Sequence, residues 1–132
     1  MIAKRFEDLI FWQRSRELSQ LIYSCTKTGK FCIDFGLKDQ IQRSSVSVMS
    51  NIAEGFGRGS NKEFIQFLFI AKGSLAEVQS QLYVALDQGY IDEHIFTKAY
   101  EKSSEVCKLI NAFISSLEKS SKKGFKHYDS AL

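Results

Sequence analysis

Proline is absent from all 132 residues. No position therefore forces a kink in a helix or removes a backbone donor from one, which argues against a loop-rich fold and for long uninterrupted helices. Cysteine is scarce, with only Cys25, Cys32 and Cys107. Their number is odd and their spacing fits no metal-ligand pattern. The opening nine residues hold Lys4, Arg5, Glu7 and Asp8 where a secretory leader would have an apolar core. Reduced thiols in a cytoplasmic protein are expected. No apolar run approaches the roughly 18 residues that a membrane span needs, so no membrane role is expected. Histidine is limited to His94 and His127, and neither has a partner at a spacing that suggests a catalytic pair or a metal site. The chain is expected not to be an enzyme, with no cofactor, no metal and no small-molecule substrate.

A strong excess of one charge is also missing from most of the chain. Residues 1–118 hold 14 basic and 14 acidic side chains, so the net charge of +3 arises in the tail. There Lys119, Lys122, Lys123 and Lys126 stand against Asp129. The body does not resemble a strongly basic nucleic-acid domain. It does carry a gradient. Residues 1–50 have eight basic and five acidic groups, and residues 51–97 have three and six. One half of the chain could attract the other half of a second copy.

What is present is helical periodicity. A first helix is expected over about 6–28, with Phe11, Ser15, Leu18, Ile22 and Cys25 spaced by four and three along a core stripe. Gly29 is a suitable stop. The linker 30–36 contains Phe31, Ile33 and Phe35 and is expected to fold back over one end of the bundle. A second helix, about 35–57, starts after the N-cap candidate Asp34 and carries Leu37, Ile41, Ser45, Val48 and Ile52. Gly55, Gly57 and Gly59 interrupt it; no strand precedes them and no Gly-Lys-Ser/Thr follows, so they form no phosphate loop. Ser60 and Glu63 fit a capping box that opens a third helix, about 61–88. Phe64, Leu68, Ala71, Leu75, Val78, Leu82 and Ala85 give it the cleanest stripe in the chain, and Gly89 ends it. A fourth helix, about 93–119, starts near Asp92 and carries Ala99, Ser103, Val106, Ile110, Phe113 and Leu117. The fold class expected is all-α: an antiparallel up-down-up-down four-helix bundle over 1–119, followed by a basic flexible tail over 120–132.

Three features invite a functional reading. The first is a polar stripe on the second helix: Arg43, Ser47, Asn51, Glu54 and Arg58 recur at spacings of four, four, three and four. Polar groups flanked by apolar faces must be hydrogen-bonded if they are buried. Arg43, Asn51, Glu54 and Arg58 could tie down the corner between two helices, set register at a subunit contact, or contact a ligand or RNA phosphate. Glu54 fits an i,i+4 pair with Arg58 better than a catalytic pair with Glu63. The second feature is surplus apolar surface at Phe11, Trp12, Ile65, Phe69 and Tyr83, more than a four-helix core needs, which points to an oligomer interface. The third is the lysine cluster Lys119, Lys122, Lys123 and Lys126. Multiplied around a ring, it would attract nucleic acid without regard to sequence, with Phe125 and Tyr128 beside it for stacking.

Many separated words of the sequence also fit one known family. They are Phe6-Glu7-Asp8-Leu9 with Trp12-Gln13, Phe35-Gly36-Leu37 with Gln40, Arg43-Ser44-Ser45, Asn51-Ile52-Ala53-Glu54-Gly55 and Arg58. Ser60, Lys62-Glu63-Phe64, Phe67-Leu68, Ile70-Ala71-Lys72-Gly73-Ser74, Glu77 and Gly89-Tyr90 continue the series. In these words, from Phe6 to Tyr90, the sequence resembles the four-helix-bundle proteins encoded in intervening sequences of bacterial 23S ribosomal RNA genes. The same broad family includes the accessory variability determinants of diversity-generating retroelements. Two departures concern packing. The linker before the second helix lacks the family's frequent proline, and serines stand after Arg43 where alanines are common. The resemblance implies a homopentameric ring without enzymatic activity. For the retroelement branch it implies binding to a reverse transcriptase and to nucleic acid; for the intervening-sequence branch it implies no settled role. The compact, weakly basic chain falls nearer the latter. Two expectations follow: a non-catalytic oligomeric bundle that contacts RNA, or a structural or protein-partner scaffold with no nucleic-acid role, such as a reverse-transcriptase accessory-like subunit.

Overall fold

Capping chemistry sets the helix boundaries. In the computed structural model, which describes residues 3–122, a 3-10 turn at Phe6–Asp8 precedes five α-helices: α1 (Ile10–Thr26), α2 (Gly29–Ile33), α3 (Phe35–Gly57), α4 (Asn61–Asp87) and α5 (Glu93–Lys122). Asp34 Oδ1 accepts from the Leu37 amide at 3.1 Å and so starts α3. Ser60 Oγ accepts from the Glu63 amide at 3.1 Å, and Asp92 Oδ1 from the Ile95 amide at 2.8 Å. At the end of α4, Gly89 takes a φ of 72°, and the Tyr90 and Gly89 amides return to the Ala85 and Leu86 carbonyls at 2.9 and 3.0 Å. That is the paired hydrogen bonding of a Schellman motif, and its left-handed residue favours glycine.

The order and direction of the helices follow from contacts between them. α1 packs on α3 and α5, and α4 packs on the same two helices, so α1 and α4 occupy opposite corners of a four-helix bundle. Glu17 meets Lys102 and Arg14 meets Glu105, while Phe11 meets Phe113. Gln79 meets Ser104 and Asn61 reaches the Leu117 carbonyl. Ser47 meets Ser74, and a Cβ at Gly55 would touch Phe67. In each pair of helices one number rises as the other falls, so each pair is antiparallel and the bundle runs up-down-up-down. Its core holds Phe11, Phe64 and Phe113 with Leu18, Ile22, Ile41, Ile52, Leu68 and Leu82, all fully buried. Buried serines fit between helices because each can return its hydroxyl to the helix's own backbone. Ser15 Oγ donates to Phe11 O at 2.6 Å, and Ser44 Oγ to Gln40 O at 2.9 Å.

Three expectations need correction. The first helix does not begin at residue 6. The Asp8 carboxylate accepts from the Lys4 and Arg5 amides at 3.0 and 3.3 Å, and Leu9 is extended, which separates the 3-10 turn from α1. The linker is not a uniform cover either. It forms α2, in which Phe31 is buried and Ile33 is 69% exposed, and Phe35, the first residue of α3, is 73% exposed. Residues two apart on a helix point roughly 200° apart, so burying Phe31 turns Ile33 outward. Finally, α5 passes the expected end at residue 119 and continues to Lys122, with Ser120 buried. The remainder of the tail, residues 123–132, lies outside the described residues.

Asp34 joins three segments at one end of the bundle. Besides capping α3, it accepts a 2.8 Å hydrogen bond from the Tyr90 hydroxyl, and Tyr90 stacks on Phe31 at 5.2 Å. The bond to Asp34 holds the tyrosine hydroxyl's pKa above its ordinary value. Asp34→Ala removes both roles and is expected to cost about 0.5–2 kcal/mol for the cap alone. Asp34→Asn, which keeps a capping oxygen, is expected to cost less. Urea unfolding of the two variants side by side checks this.

Candidate functional site

The polar stripe on α3 divides into two groups. In the middle of the helix, Asn51 Nδ2 donates to Ser47 O at 2.8 Å and to Ser47 Oγ at 3.0 Å, and Ser47 Oγ lies 2.9 Å from Ser74 Oγ on α4. These groups link α3 to α4. At the corner between the two helices, Arg58 Nη2 lies 3.0 Å from Glu54 Oε1 and Arg58 Nε lies 3.9 Å from Glu63. The Arg58 guanidinium also covers the Phe67 ring at 5.1 Å. Arg43 joins neither group. It turns back one helical turn to Asp39, 2.8 Å away, and is largely exposed.

The five aromatic and aliphatic residues read as interface separate as well. Phe11 is not at the surface: it is fully buried, 5.0 Å from the Phe113 ring, and belongs to the core. A stripe spaced by three and four does not say which of two adjacent aromatics faces inward, and here Phe11 faces in. Its neighbour Trp12 is partly buried and packs against Phe6 of the 3-10 turn at 5.0 Å. Ile65 is partly buried against the core. Phe69 and Tyr83 are exposed on α4. Ile70 and Val84, one position further along, extend the same exposed face. Sequence reasoning missed these two because it traced a narrow stripe and the apolar face is broader. Tyr23 on α1 and Val46 on α3 read as apolar surface in the sequence, but nothing there brings them together. They line a shared cleft with Asp39, Gln42, Arg43, Ser47 and Ser50.

Tyr83 does not stand alone. Its ring lies 4.9 Å from Phe96 and 5.8 Å from Tyr100, and those two rings of α5 stack at 5.4 Å. On the side between α1 and α5, four charges form a network: Lys102 lies 2.8 Å from Glu17 and 3.6 Å from Glu105, and Arg14 lies 3.1 and 3.5 Å from the same carboxylates. The hydrogen bond from Lys102 holds the Glu17 carboxyl below its ordinary pKa.

Cys25 lines a cleft with Leu21, Ile91, His94 and Lys98, but burial pushes its thiol up to about 11. It is a poor nucleophile at neutral pH. No group of three or more His, Cys, Asp and Glu is disposed to hold a metal ion among the described residues, and no helix among them is long and apolar enough to cross a membrane. Of the lysine cluster, Lys119 is exposed and Lys122 is the last residue of α5; Lys123 and Lys126 lie outside the described residues, as does His127. Lys62, exposed on the first turn of α4, was not singled out from the sequence. The Asn61 side chain donates to Leu117 O at 3.4 Å, so Lys62 and Lys119 share one end of the bundle.

The fold has a counterpart among solved structures. A crystal structure of a protein of unknown function from the S23 ribosomal protein family of Bacteroides thetaiotaomicron is similar, with a TM-score of 0.72 and 26% sequence identity over 79% of this chain and 97% of that one. No functionally curated protein matches. The description "23S rRNA-intervening sequence protein" belongs to a family whose pattern matches residues 7–112, from the 3-10 turn through most of α5. The chain is a member of the 23S rRNA-intervening sequence protein family.

Proposed function

We propose that the protein is a non-catalytic helical bundle that assembles with copies of itself and contacts RNA through one end. The observation that carries self-assembly is the outer face of α4. Phe69, Ile70, Tyr83 and Val84 are 53, 52, 50 and 44% exposed, in a helix whose opposite face already fills the core. A bundle helix with a second apolar face has a partner to cover it. A closed ring of five is the stoichiometry that the family resemblance implies.

RNA contact is supported by the end of the bundle that bears Lys62 and Lys119. Both are exposed, and no carboxylate among the described residues forms an ion pair with either. Free cations at one end of each subunit become a basic rim when subunits assemble, and such a rim binds phosphates by releasing counterions.

The test is a titration of the purified protein with 23S rRNA fragments at several salt concentrations, with light scattering on the same samples. Log affinity is expected to fall linearly with log salt. Replacing Lys62, Lys119, Lys122, Lys123 and Lys126 by Gln is expected to weaken binding across all sequences and to lower the slope by about one for each lost phosphate contact. An oligomer without measurable binding at low salt would overturn the RNA role and leave a protein scaffold.

A further inference from the structure

Tyr90 is held twice, which makes it a fixed wall. Its hydroxyl donates to Asp34 Oδ2 at 2.8 Å and its ring stacks on Phe31 at 5.2 Å. It faces a cleft of about 380 Å³ between the end of α1, the Thr28 cap of α2 and the first turns of α5. A few hundred Å³ is the lower range of small-molecule sites. Leu21, Ile91 and Ile95 supply the apolar lining. Ile91 is buried and Ile95 is 36% exposed, so apolar surface runs from the core out to the mouth.

Four polar side chains line the same cleft: Ser24, Thr28, His94 and Lys98. All four are exposed, and none of them forms a side-chain hydrogen bond or ion pair among the described residues. Thr28 stands at the N-cap of α2, yet its hydroxyl caps nothing. Ser24 does not return its hydroxyl to its own helix as Ser15 and Ser44 do. Cys25, by contrast, donates to Ile22 O at 3.4 Å. His94 and Lys98 are one turn apart and share a side of α5. Two hydroxyls, an imidazole and an ammonium therefore meet over an apolar floor, and the fold uses none of them.

No carboxylate lines the cleft. Of the acids around it, Asp34 caps α3 and binds Tyr90, and Asp92 caps the Ile95 amide at 2.8 Å. Glu17, one turn before Leu21, is taken by Lys102 and Arg14. Glu93 and Glu101 are exposed on α5 off the cleft, and Lys27 and Lys30 flank Thr28 on the other side. One ammonium inside, with acids and bases mixed outside, suits a single negative charge better than two.

We propose that this cleft binds a small monocarboxylate with an apolar body. The body lies on Leu21, Ile91 and Ile95 against the Tyr90 wall. The carboxylate, whose two oxygens only accept, takes Lys98 and the donors of Ser24, Thr28 and His94. This site is separate from the self-assembly and RNA contact proposed above and stands or falls without them.

Phenylacetate is the probe, followed on the full-length protein by ligand-observed saturation-transfer NMR. It is expected to saturate with a Kd below about 10 mM, as a fragment of its size does when it fits a site. Acetate, which lacks the ring, and 2-phenylethanol, which lacks the charge, are expected to bind about tenfold more weakly or not at all. Lys98→Gln is expected to weaken phenylacetate about tenfold, and Lys98→Arg, which keeps the charge, to restore most of the affinity. Lys98 is exposed, and circular dichroism checks that both variants are helical. Alkylation by iodoacetamide locates the ligand: phenylacetate is expected to slow the reaction at Cys25 severalfold and to leave Cys32 and Cys107, which lie off the cleft, unchanged. No saturable binding would overturn the site. Equal binding of 2-phenylethanol, or no effect of Lys98→Gln, would overturn the carboxylate contact. Tighter binding of phenyl phosphate would overturn the preference for one charge. Binding that leaves Cys25 unprotected would place the ligand elsewhere and overturn the assignment.

Discussion

Gly55→Ala is expected to destabilise the fold by about 1–3 kcal/mol, although the same exchange inside a helix ordinarily stabilises by up to about 1 kcal/mol. Gly55 lies in the last turns of α3, where the chain passes closest to α4. A Cβ built there would stand 2.7 Å from Phe67 Cβ, 2.9 Å from Phe64 Cδ1 and 3.4 Å from the Phe64 carbonyl oxygen. Neither a Cβ nor a carbonyl oxygen can swing aside as the end of a long side chain can, so α3 must move off α4. That movement would disturb the Phe64 ring, which lies 6.1 Å from Phe56 and 5.4 Å from Phe113. Gly73 provides the control. It sits in the middle of α4 with nothing within 4 Å of its added Cβ. Gly73→Ala is expected to stabilise by about 0.5–1 kcal/mol. Opposite signs for the same chemical change, read by urea unfolding at one protein concentration, would fix the close approach of the two helices. Equal signs would contradict it.

Phe113→Ala is expected to cost about 3–5 kcal/mol, a large share of the roughly 5–15 kcal/mol that holds a domain of this kind together. Phe113 is fully buried where three helices meet. Its ring lies 5.0 Å from Phe11 on α1 and 5.4 Å from Phe64 on α4. Truncation removes both ring contacts and leaves a cavity that rings on two other helices cannot fill without leaving their own places. Phe113→Leu retains most of the volume and is expected to cost less than about half as much. Thermal and urea unfolding of the pair measures the difference. A loss below about 1 kcal/mol for the alanine variant would contradict the junction.

Much of this architecture was legible in the sequence because local chemistry and the core pattern agree. The stripe from Phe64 to Ala85 is buried at every step, and Asp34, Ser60, Asp92 and Gly89 bound their helices as their side chains and backbone freedom require. What was not legible depends on where neighbours sit. Nothing local says that Asp8 would draw the Lys4 and Arg5 amides away from a continuous first helix, or that Phe31 would point in and Phe35 out. The polar stripe was visible as a row on α3, but Arg43 had an equally close acid at Asp39, and only the packed corner decided that Arg58 takes Glu54 and Glu63. For the exposed aromatics, periodicity found Phe69 and Tyr83 on α4. Their cluster with Phe96 and Tyr100 needs two helices separated by a turn in the chain.

The antiparallel pairing of α1 with α5 has a consequence for how the protein is made. α3 and α4 are adjacent in sequence and can pair as soon as both have left the ribosome. α1 is synthesised earliest of the four long helices, yet one of its two neighbours is the latest. Until α5 emerges, the side of α1 that bears Phe11 lacks the Phe113 ring that covers it. For the time needed to add more than eighty residues, at about 5–20 residues per second, the nascent chain shows this apolar strip to whatever is nearby.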